Sequence, residues 1–133
     1  MFLSLAVTPL LAFAHGTVVG KKRRAAGIHY PQHYATPQET KASPAALQFN
    51  CAQRAHGQFI ENAPQTMLLM LAAGLAYPRA TALLGAGWVA SRIAYLVGYV
   101  YSGSPSNRRW GAGFWFCQLG LVGLCAKMAW DLK

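Results

Sequence analysis

Four stretches of this chain are nearly free of charge, and each approaches the length needed to cross a membrane. Residues 1–20 contain no charged side chain, nor do residues 63–77, which continue backwards into a polar segment at 50–62. Residues 80–101 are broken only by Arg92, and residues 110–130 only by Lys127. A helix rises about 1.5 Å per residue, so roughly 20 residues cross ~30 Å of hydrocarbon. Composition agrees: 54% of the 133 residues are apolar and only 11% are charged, whereas a soluble domain charges roughly a quarter of its positions. The expected fold is an all-α integral membrane four-helix bundle, a single domain over residues 1–133. Its spans are expected at about 1–20, 50–77, 80–101 and 110–131. Tyr77-Pro78-Arg79 and Ser102-Gly103-Ser104-Pro105-Ser106 read as turns. Residues 21–48, with Pro31, Pro37 and Pro44, form the one long polar connection and are expected to lack regular structure.

The charges that remain set an orientation. Twelve Lys and Arg face three acidic residues, Glu39, Glu61 and Asp131. With four spans, Lys21, Lys22, Arg23, Arg24, Lys41, Arg108 and Arg109 all lie on loops of one side, against Arg79 alone on the other. That asymmetry predicts cytosolic loops. A topology signal touching anionic headgroups accounts for most of these residues, so no nucleic-acid partner is expected. Ala12-Phe13-Ala14 has the small-x-small form of a signal cleavage site, yet the basic run follows the apolar one instead of preceding it. A retained first helix is expected. The run starts at Met1 with no polar lead-in, the pattern of an abbreviated N-terminus. Cys51, Cys117 and Cys125 are an odd set with no paired spacing. Together with His15, His29, His33 and His56 they build no zinc spacing, and no metal is expected.

Polar side chains inside apolar helices are costly and tend to mark sites. Asn50, Arg54, Gln58, Glu61 and Gln65 recur at steps of about four and share one helical face. Arg54 and Glu61 are separated by ~10 Å of rise, so they are expected not to touch and to seek partners elsewhere. Trp88, Arg92, Tyr95 and Tyr99 form a facing stripe, in which the expected counter-charge of Arg92 is Glu61. Ala82, Ala86, Ala90, Ala94 and Gly98 form a row of small residues suited to close helix packing. Cys51 reads as a helix-seam residue in preference to a reactive thiol, His56 as an interhelical hydrogen-bonding residue in preference to a general base, and His15 gives no further signal. Arginines suit carboxylates, Glu61 an ammonium, and Gln58 an amide. A small zwitterionic peptide with two carboxylates, such as glutathione, fits that inventory. A phospholipid headgroup would use many of the same groups, and an interhelical polar network without ligand is the plainer alternative.

The run Phe49-Asn50-Cys51-Ala52-Gln53-Arg54-Ala55-His56, continuing to Glu61, resembles the second-helix signature of the MAPEG superfamily, the membrane-associated proteins of eicosanoid and glutathione metabolism. Tyr30-Pro31 upstream, and Arg92-x-x-Tyr95-x-x-Gly98-Tyr99 with Gly103-x-Pro105-Ser106 downstream, extend the resemblance over nearly the whole chain. It implies a homotrimer binding glutathione between adjacent subunits near the cytosolic face. By the same resemblance Arg54, Gln58, Glu61, Arg92, Tyr95 and Tyr99 hold glutathione, with Gln58 standing where the family usually has Asn. An arginine at the end of the first helix, Arg23 or Arg24, joins them. The arginine that activates the thiol corresponds to Arg108 or Arg109; the plainer role for that pair is to anchor the loop to headgroups. Asn62 stands where leukotriene-forming members have Tyr, which argues against that subfamily. The implied activity is glutathione transfer to lipophilic electrophiles or reduction of lipid hydroperoxides, in the endoplasmic reticulum or the mitochondrial outer membrane. The alternative is a non-catalytic lipid-binding scaffold of the same family.

Overall fold

The structure is a computed structural model that describes residues 1–102 and 104–132. Its elements are α1 (Phe2–Ala26), α2 (Pro37–Ala42), α3 (Pro44–Ala76), α4 (Pro78–Val100), a 3-10 helix (Pro105–Gly111) and α5 (Gly113–Asp131). The four long helices fall where the uncharged runs do, and the turn at Tyr77 stands as expected, since Pro78 opens α4 at a position needing no backbone N–H. Among the described residues, three helical stretches are long and apolar enough to cross a membrane: Phe2–Ala26, Pro78–Val100 and Pro105–Asp131. The 33-residue α3 has the length, but Arg54, Glu61 and several amides dilute its first half.

Residues 21–48 are more ordered than their prolines suggest. Helix α1 runs on through Lys21–Arg24 to Ala26, with Arg23 and Arg24 in the last turn, where cations favour the negative helix end. Gly27 ends it at φ 66°, and its N–H bonds the Arg24 carbonyl at 3.2 Å while Ile28 N–H bonds that of Arg23 at 3.3 Å. Thr36 then caps α2: its hydroxyl accepts from Glu39 N–H at 3.3 Å, and the Glu39 carboxylate accepts from Thr36 N–H at 2.6 Å. The Thr36 backbone N–H, the Thr36 hydroxyl and Gln32 together hold the Glu39 carboxyl below the usual carboxylate range. Pro44 opens α3 six residues before the expected start of that span. Pro37 and Pro44 thus begin helices, so irregular chain runs over residues 27–36, around Pro31, and does not extend over the whole segment. Asn50 fastens the loop to α3, accepting from Ala35 N–H at 2.8 Å and donating to the Ala35 carbonyl at 2.9 Å.

Helix α1 packs on α3, α3 on α4 and α4 on α5. Phe59, Trp88, Arg92, Phe114, Met70 and Leu121 are fully buried between them. The outer surface is apolar as well: Leu83 is 76% exposed and Phe116 78%, the distribution of a helix facing acyl chains and not water. The small-residue row of α4 does not form the continuous seam its spacing suggested. Ala86 and Ala90 are exposed, and α5 instead meets α4 at Leu84, Gly87 and Ser91. Gly98 is buried and does serve close approach, because a Cβ there would stand 2.2 Å from the Asn107 carbonyl oxygen. At Gly111 a Cβ would fall 2.4 Å from Tyr95 Cβ. These two glycines let the 3-10 helix lie flat along α4.

Candidate functional site

The flat seating of the 3-10 helix brings four of the singled-out residues together. Gln58 from α3, Tyr95 from α4, and Arg108 and Arg109 from the 3-10 helix line an open cavity of about 210 Å³ together with Ala112, Phe114 and Trp115. Tyr99 stands just behind, edge-on to Tyr95 with ring centroids 5.6 Å apart, and the Arg108 guanidinium lies 5.8 Å from the Tyr99 centroid. Arg109 Nε donates to the Ser106 carbonyl at 3.4 Å. Among the described residues no hydrogen bond holds Arg108, so its donors are the more available of the two. Two exposed guanidiniums, an amide and a phenol against two aromatic rings make a site for an anion with an apolar neighbour. Behind Tyr99 a second cavity of about 150 Å³ is lined by Leu47, Gln48, Cys51, Val100 and Pro105, among others. Gly103, part of the downstream motif, lies outside the described residues.

Two pairings differ from expectation. Arg92 donates to Gln58 Oε1 and not to Glu61. It is fully buried, with the rings of Phe59, Trp88, Tyr95 and Phe114 around its guanidinium at 4.7–5.8 Å. Glu61 lies on an exposed face and pairs instead with Arg54, whose Nη1 donates to its Oε1 at 3.1 Å. Counting rise alone missed that contact. Positions seven apart return to nearly the same face, and both side chains are long enough to lean along the axis and meet. Both are about half exposed, 51% and 58%, and neither lines the cavity of Gln58 and Arg108.

The first-helix arginines have separate fates. Arg23 is buried, donates to the Gln32 carbonyl at 2.6 Å, and is clamped between Tyr30 at 4.3 Å and Phe49 at 4.5 Å. Arg24 is exposed. Both line a groove of about 280 Å³ with His29 and Tyr30, apart from the Gln58 cavity. Asn50, on the same stripe as Arg54, holds the loop through Ala35, as described above. Lys22 donates to Gln48 at 2.9 Å.

Sequence reasoning passed over the aromatic wall of the cavity, Phe114 and Trp115, whose only signal was their position at the start of the fourth span. It also passed over His15, which is fully buried, stacked on Phe59 at 4.8 Å and 6.2 Å from His56. A lone histidine in an apolar run points inward for the cost of facing lipid, a signal available but unread. A sequence model described as the MAPEG family matches residues 1–127 of the chain.

Proposed function

The chain belongs to the MAPEG family and is an integral membrane protein, and from that premise we propose that it is a membrane-bound glutathione transferase with glutathione-dependent peroxidase activity, of the type-3 microsomal glutathione transferase kind. The cavity in which Arg108 and Arg109 face Gln58, Tyr95 and two aromatic rings carries this reading. A free glutathione thiol has a pKa near ~8.5, so only a few per cent is thiolate at neutral pH. Lowering that pKa by about two requires about 2.7 kcal/mol of preference for the thiolate, within reach of a guanidinium in a partly desolvated cavity. Arg108 is the activating residue in this reading, because Arg109 is partly occupied by Ser106.

The thiolate attacks an electrophilic carbon presented from the bilayer past Phe114 and Trp115, forming a thioether as the π bond of an activated alkene or the C–O bond of an epoxide breaks and the resulting anion takes a proton. With a lipid hydroperoxide it attacks the terminal oxygen instead. The O–O bond breaks, the leaving alkoxide takes a proton to become the alcohol, and a second glutathione converts the sulfenic intermediate to the disulfide and water. Two electrons pass from two thiols to one peroxide.

Arg54 and Glu61 form the other half of the site. A half-exposed ion pair on a membrane helix needs cover, and a second copy of the chain placed against this face supplies it, in a homotrimer with glutathione between subunits. On binding, Glu61 takes the ammonium and Arg54 a carboxylate. Arg24 is free to reach the same ligand from the first helix, while Arg23 is occupied by its loop. Cytosolic loops and residence in the endoplasmic reticulum, or alternatively the mitochondrial outer membrane, complete the reading. Calorimetric titration of detergent-purified protein with glutathione, a conjugation assay with a generic electrophile and a peroxidase assay with a lipid hydroperoxide test it. Binding with one or both activities is expected. Binding without either supports the scaffold alternative, and no binding rejects the enzyme reading.

A further inference from the structure

We propose that Arg92 does not touch the ligand but positions Gln58, locking its side-chain amide with the NH2 turned to the cavity, so that only a hydrogen-bond acceptor of the bound peptide is received there. The inference rests on the glutathione reading and narrows it to which part of the peptide Gln58 meets.

Arg92 is enclosed. Its guanidinium carbon lies 4.7 Å from the Phe114 centroid, 5.2 Å from Tyr95, 5.3 Å from Phe59 and 5.8 Å from Trp88, and it is 0% exposed. Gln58 and Tyr95 line the cavity, and Arg92 does not. Its one hydrogen bond among the described residues goes to Gln58 Oε1. A guanidinium has only donors, so the amide atom facing it must be the oxygen. The planar amide then carries Nε2 on the remaining side, where no described protein group accepts from it. Were the amide free to flip, Gln58 would serve a donor or an acceptor equally. Held this way it is a donor only, as are Arg108 and Arg109 along the same wall. A carboxylate or an amide carbonyl of glutathione fits that position; its ammonium does not.

The test compares glutathione affinity and turnover in full-length protein carrying Gln58→Glu, Gln58→Ala, Arg92→Lys, and Arg92→Lys combined with Gln58→Ala. Gln58→Glu keeps an acceptor for Arg92 but has no donor for the ligand. Its glutathione KM is expected to rise at least about tenfold, a larger change than any in kcat at saturation. Arg92→Lys is expected to raise KM about tenfold alone but less than about twofold in the Gln58→Ala background, since it acts through the missing amide. A Gln58→Glu protein that binds glutathione like the wild type overturns the proposal. So does an Arg92→Lys loss that persists undiminished without Gln58, which would mean direct contact. If Arg92→Lys fails to fold, as judged by its thermal midpoint, the Gln58→Glu result decides alone. Wild-type protein that binds no glutathione sinks the parent reading as well, an outcome distinct from additive losses in a protein that binds.

Discussion

Arg108 and Arg109 are neighbours in sequence with unequal surroundings, and single substitutions should separate them. Arg108→Ala is expected to lower kcat/KM for conjugation at pH 7 by roughly a hundredfold, with the pH–rate profile moving up towards the free thiol's ~8.5. Arg109→Ala should cost less than about fivefold, because its guanidinium already leans on Ser106. Stopped-flow measurement of bound thiolate absorbance across pH distinguishes the two, and equal effects would remove Arg108 from its assigned role. At this scale the chain was partly legible. Helical spacing put Gln58 and Tyr95 on facing stripes, and the structure joins them in one cavity with both arginines. The partners of charged groups were less legible, because spacing along an axis says nothing of side-chain lean. Arg54 therefore meets Glu61, and Arg92 turns to Gln58.

Among the elements, the 3-10 helix is the most demanding, since its seating depends on two missing side chains. Gly98→Ala would drive a methyl group into the Asn107 carbonyl, and backbone has little freedom to give way. Lower activity and a thermal midpoint reduced by several degrees are expected, with glutathione affinity falling alongside. The small-residue row in α4 was visible in the sequence, but which of its members meets a neighbour was not, because a period of four cannot say which face a distant loop will choose. The polar loop departs from expectation for a related reason: a proline that breaks a helix interior opens one at its first turn, where Pro37 and Pro44 stand. Helix α2 offers a pH test. The Glu39 carboxyl is held below its ordinary range, so its contribution is complete above the unfolded pKa and disappears as pH falls through the lowered folded value. Hydrogen exchange at the α2 amides should therefore show protection that is constant near neutrality, after correction for intrinsic rates, and declines only in acid. Thr36→Ala should remove much of that protection at every pH.

For the molecule as a whole, the two groups of site residues lie apart within one chain: Arg54 and Glu61 on an outer face of α3, Arg108 in the cavity beside α4. If glutathione lies between copies, co-expressed Arg54→Ala and Arg108→Ala chains should regain activity, roughly a quarter of wild type under random mixing of subunits. Each variant expressed alone should stay inactive, and the absence of regain in mixed oligomers would place the whole site within one chain. The bundle itself was the most legible feature, because the dearth of charge over four runs leaves the backbone few ways to satisfy its hydrogen bonds in lipid except as helices. Asn50 adds a link between water and membrane. Because both edges of its amide grip Ala35, the segment outside the bilayer is geared to the helix that bears Arg54 and Gln58. A spectroscopic probe attached near Ala35 is thus a remote gauge of tilt in α3, readable without any label inside the lipid.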